Sequence, residues 1–135
     1  MTRRQMRESC FILLFEKCFS NYSSEEIIEI AKETEEVAIN NTVIHYFLEV
    51  ENHQEEIDAL IGKNLKNWNL SRLSKVALCL LRLAVYEICI LKEVDAAIAI
   101  NEAIEIAKEY STQEDASYIN GVLGAVVRDT AVCDQ

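Results

Sequence analysis

A chain of 135 residues that is 50% hydrophobic has room for one compact domain or two small subdomains, and is too apolar for a disordered chain. Its 23 acidic against 13 basic side chains, a net charge of −10, exclude coating of nucleic acid by bulk electrostatics. No run approaches the roughly 18 apolar residues of a membrane span, and no signal peptide is recognisable, because Glu8, Glu16 and Lys17 bracket the first apolar run.

In chain order, Met6, Cys10, Leu13, Leu14 and Cys18 follow the helical period and predict a helix from Arg3 to Phe19. A polar break at 20–23 ends in Ser23, three residues before Glu26, the spacing of a capping box. This predicts a second helix through Ile27, Ile30 and Ala31, ending near Thr34. Val43, Phe47 and Val50 mark a third helix, and Ile57, Leu60 and Ile61 a fourth running towards Leu65. The only tryptophan, Trp68, sits in the break that follows and is expected to be partly shielded. From Ser74 to Leu91 almost no polar face is left, which predicts a central helix covered on several sides. Asp95 caps a sixth helix, Ala96 to Tyr110, with the stripe Ile100, Ala103, Ile104 and Ala107. Thr112 and Asp115 repeat the capping-box spacing and open a seventh, with Tyr118, Ile119, Val122, Leu123 and Val126 inward. Gly121 and Gly124 weaken that helix, so close approach of another helix is expected there.

With no Pro and three Gly, the turns that strands need are missing. The fold class is all-α, about seven helices, with an N-terminal subdomain of about 1–66 and a C-terminal one of about 67–135 sharing a core. The five cysteines show no Cys-x-x-Cys spacing, and an odd set in apolar segments points to free thiols in a reducing cytoplasm. No phosphate-cradling glycine loop, nucleophile elbow or paired histidines occur, and His45 and His53 have no ligand set around them. No metal, cofactor or enzymatic activity is expected. Charge alternates along the chain: residues 1–20 carry four basic and two acidic side chains, 21–60 one and eleven, 61–92 six and one, 93–135 two and nine.

Four stretches, Arg72 to Val76, Leu81 to Glu87, Ala99 to Lys108 and Tyr118 to Leu123, together with the arginine-rich opening Thr2 to Glu8, have the order and spacing of one family. The chain resembles the NusB family of bacterial transcription antitermination factors. That resemblance implies a protein that binds boxA-type RNA of ribosomal RNA leaders together with the NusE ribosomal protein, joins RNA polymerase and helps it read through terminators. It implies RNA contacts at Arg3, Arg4, Arg7 and Tyr118, guanidinium groups on phosphates or base edges and a ring on an unpaired base. Asn101 and Asn120 match motif asparagines, read as semi-buried amides fixing helix register. Glu102 and Gly121 belong to the same motifs, and Arg82 and Glu87, on the central helix, are assigned to internal pairing or to the protein partner. The family places a carboxylate where Ala77 stands, so Ser74 keeps half of a capping box. The rival reading is a helical protein–protein assembly module with weak or lost RNA binding, a homodimer over the arginine face being one form.

Overall fold

Helices begin where a short side chain can satisfy the free N–H groups of a first turn, and this chain supplies one at most of its starts. The computed structural model describes residues 1–66 and 69–133, with side chains to residue 130; Trp68 and the thiol of Cys133 lie outside the described residues. Seven α-helices are found among these, and no strand. They divide into two compact units, Met1–Asn52 and His53–Gln135. The fourth helix thus belongs with the second unit, whereas the sequence alone places it in the first.

In the first unit, α1 (Arg3–Phe19) packs against α2 (Ser24–Thr34) and α3 (Asn41–Asn52). Thr2 and Gln5 cap α1 reciprocally: the Gln5 N–H donates to Thr2 Oγ1 at 3.1 Å and the Thr2 N–H to Gln5 Oε1 at 2.7 Å. Ser23 and Glu26 form the expected capping box on α2. That helix stops at Glu35, in the left-handed region at φ 56°, whose N–H returns to the Ala31 carbonyl. Asn40 Oδ1 accepts from the Val43 N–H at 2.9 Å and opens α3. Cys10, Leu13, Leu14, Val43, Phe47 and Val50 are buried, each large side chain stabilising by about 1.5–3 kcal/mol. Ile30, expected inward, is 37% exposed, because Ile27, Ile28 and Ala31 take the buried side of α2.

In the second unit, α5 (Lys75–Val85) packs against α4 (Gln54–Gly62), α6 (Ala96–Tyr110) and α7 (Gln113–Cys133), and α6 and α7 pair closely. Ala77 to Leu81 and Leu83 to Val85 are buried, as a helix apolar nearly all round requires. Arg82, on its less buried side, meets Asp58 of α4 with two parallel hydrogen bonds of 2.8 and 2.9 Å. Lys63 Nζ holds Asp129 of α7 at 2.8 Å, and that hydrogen bond keeps the Asp129 carboxyl below the usual carboxylate range.

The central helix does not run uniformly to Leu91. From Tyr86 it widens into a π-helical stretch, Tyr86–Leu91, closed by the Lys92 N–H on the Glu87 carbonyl five residues back. Tyr86 and Glu87 are 2% and 1% exposed, but Ile88 to Leu91 are only half-buried. The stretch ends because Lys92 turns left-handed at φ 57°.

Candidate nucleic-acid interface

The second unit carries the aromatic and cationic surface, and its geometry starts from one short turn. Asn69 Oδ1 accepts from the Ser71 N–H at 3.1 Å and caps a 3₁₀ turn, Leu70–Arg72, which leaves Arg72 exposed. Two residues later Ser74 Oγ accepts from the Ala77 N–H at 3.0 Å and starts α5. The same hydroxyl reaches another helix: Ser74 Oγ donates to Asp115 Oδ2 at 2.8 Å. Asp115 also accepts from the Ser111 hydroxyl at the end of α6, while its own N–H donates to Thr112 Oγ1 at 3.0 Å. One carboxylate therefore ties the start of α5, the end of α6 and the first turn of α7.

Tyr118 stands one turn further along α7, 44% exposed. Its ring borders two clefts. The first, of about 350 Å³, has Lys66 and Arg72 as cations and Glu114 and Asp115 as carboxylates. The second, of about 320 Å³, is lined by Asn64, Lys66, Ser117, Tyr118, Gly121 and Val122, with no carboxylate among them. An exposed ring beside an ammonium group is the combination that takes an unpaired base and its phosphate.

The opening arginines are in the first unit. Arg3 and Arg4, on the first turn of α1, are exposed. Arg7 corrects the expectation: it is 3% exposed. Position 7 shares a helix face with Cys10 and Leu14, which are buried, so its guanidinium is enclosed and cannot reach an RNA phosphate. The motif asparagines correct it too. Asn101 and Asn120 are exposed rather than lodged between helices, because Ala99, Ala103, Ile106 and Ala107 form the inner face of α6 and Ala116, Ile119, Leu123 and Val126 that of α7. Nor does another helix approach Gly121, where an added methyl would meet nothing within 4 Å; at Gly124 it would meet only Arg128, at 3.4 Å. Arg82 is engaged by Asp58, Glu87 is buried, and Glu102 is half-buried.

Sequence reasoning gave no site role to Lys66, Arg72 or Asn64, and to Asp115 only the opening of the seventh helix. The basic excess of residues 61–92 pointed to the first two. Nothing local in sequence links Ser74 to Asp115, 41 residues away. Among the described residues, no group of three or more His, Cys, Asp or Glu is placed to hold a metal ion, and no helix is long and apolar enough to cross a membrane. Cys10, Cys18, Cys79 and Cys89 form no disulfide.

Fold and cleft define an all-α protein of two helical units with an aromatic, basic surface on the second. The chain belongs to the NusB family, whose model matches residues 4–128. It is 42% identical over 141 residues to the transcription antitermination protein NusB of Acetivibrio thermocellus, covering 95% of this chain and 90% of that one. Among solved structures it is similar to T. maritima NusB, with TM-score 0.82, 32% identity and coverage of 95% and 92% of the two chains. It is also similar to a chain in the crystal structure of the antitermination factors NusB and NusE in complex with double-stranded RNA, with TM-score 0.79, 26% identity and coverage of 94% and 96%.

Proposed function

We propose that this chain is a transcription antitermination factor, not an enzyme, acting in the cytoplasm. It binds boxA-type RNA of ribosomal RNA leader transcripts together with a NusE-type ribosomal protein and helps RNA polymerase read through terminators. The observation that carries the reading is the exposed Tyr118 ring in one cleft with Lys66 and Arg72 on a NusB-family fold. Tyr118 stacks on an unpaired base, and Lys66 and Arg72, with Arg3 and Arg4 of the first unit, take phosphates. The likeness to a NusB found with NusE and RNA supports both partners.

A net charge of −10 limits what the chain does alone. A basic second subunit supplies the cationic surface that this one lacks, so pairing tightens RNA binding. The test is fluorescence anisotropy of the purified pair with a boxA-like oligonucleotide and with a scrambled one of equal length. The pair should prefer the boxA-like strand, and more strongly than the single chain does. Equal binding of the two strands would replace this reading with that of a helical assembly module.

A further inference from the structure

Glycine inside a helix is the least favourable residue short of proline, and it is kept where a backbone is strained or where something must come close. Neither holds at Gly121 within the chain itself. No glycine among the described residues has positive φ, and a methyl at 121 would stand in open space. The position is exposed in the body of α7. It lies three residues from Tyr118 and four from Ser117, so all three share one face of the helix. A bare strip of backbone therefore runs beside the Tyr118 ring.

The cleft over that strip is the one without carboxylates. At about 320 Å³ it falls at the small end of the roughly 300–1,000 Å³ typical of ligand clefts. Its one cation, Lys66, is exposed. The other cleft that borders the ring carries Glu114 and Asp115 as well as Lys66 and Arg72, so its carboxylates offset its cations.

We propose that Gly121 is the seat of a single RNA nucleotide. The bared α7 backbone lets a base stacked on Tyr118 lie flat over residues 117–121, with its phosphate towards Lys66, and a side chain at 121 would take that space. The proposal rests on the reading of Tyr118 as an RNA contact, and it adds which of the two clefts is occupied and why a glycine stands there.

The test uses the full chain paired with a NusE-type protein, a boxA-like oligonucleotide as probe, and three variants. Gly121→Ala should raise Tm by about 3–6 °C, as removal of an unneeded helix glycine does, yet weaken RNA binding about tenfold through overpacking. Gly121→Leu should weaken it further, and pairing with the protein partner should be unchanged in both. A fall in Tm for Gly121→Ala would show a structural glycine and overturn the proposal. Loss of partner pairing in place of RNA binding would overturn it by putting protein in the cleft. Unchanged RNA binding for Gly121→Ala, with a clear loss for Tyr118→Ala, would overturn the seat alone; no loss for either would overturn the reading of Tyr118 as well.

Discussion

Single side chains divide by what they meet, and three of them make separable predictions. Tyr118→Ala should weaken RNA binding by about 1–3 kcal/mol and leave its salt dependence nearly unchanged, because stacking releases few counterions. Arg3→Ala and Arg4→Ala should each flatten the slope of log affinity against log salt by roughly 0.7 for every single-strand phosphate left without its guanidinium. Arg7→Ala belongs to another class: its enclosed guanidinium should make the variant less stable by about 3 kcal/mol, measured by urea unfolding. Glu16 tests electrostatics. Its carboxyl is held above the usual range, first by burial and then by the nearby charge of Glu36. The folded state thus binds this proton more readily, so the group's contribution to stability falls as pH rises from the ordinary glutamate value through the raised one. Glu16→Gln should therefore melt higher than the parent at pH 7, with the difference closing below about pH 4. Tyr118 stands out in the sequence because an aromatic in a known motif needs no partner to be noticed, but the helical period alone places it inward, whereas it is exposed. Arg7 was not, since a cluster of arginines at a chain's start reads as one surface until the helix rotates one of them inward.

At the scale of elements, local signals read well and long-range ones did not. The Ser23–Glu26 box, the Asp95 cap and the apolar run of α5 are written within a few residues, and each stands as expected. The π-helical widening at Tyr86–Leu91 has no such signal; it begins where Tyr86 and Glu87 are both buried. The junction of three helix ends on Asp115 joins residues far apart in sequence, and it holds the Ser74 hydroxyl that caps α5. Ser74→Ala should cost about 1 kcal/mol through removal of an N-cap. If Asp115 acts through Ser74, Asp115→Ala should cost less in the Ser74→Ala background than in the parent, with a coupling of about 0.5–1.5 kcal/mol in a double-mutant cycle. Strict additivity would show that the two side chains only happen to be neighbours. The inner faces of α6 and α7 explain the error over Asn101 and Asn120. Small alanines on those faces let the helices pair closely, and no room is left for an amide between them.

Along the whole chain, charge comes in blocks of one sign rather than mixed. The acidic excess of residues 21–60 is followed in sequence by the basic excess of 61–92, which supplies Lys66 and Arg72 to the cleft. An acidic protein with two cations beside an exposed ring suits an adaptor that meets RNA only alongside a second subunit. The most direct test is terminator read-through in a purified transcription reaction on a template whose leader carries boxA. The account predicts that this chain and a NusE-type partner, with the other antitermination factors present, raise the read-through fraction. It further predicts that Tyr118→Ala, though still folded and still paired, abolishes most of the gain. Read-through that is unchanged by the chain, or equal on a template with a scrambled leader, would contradict it.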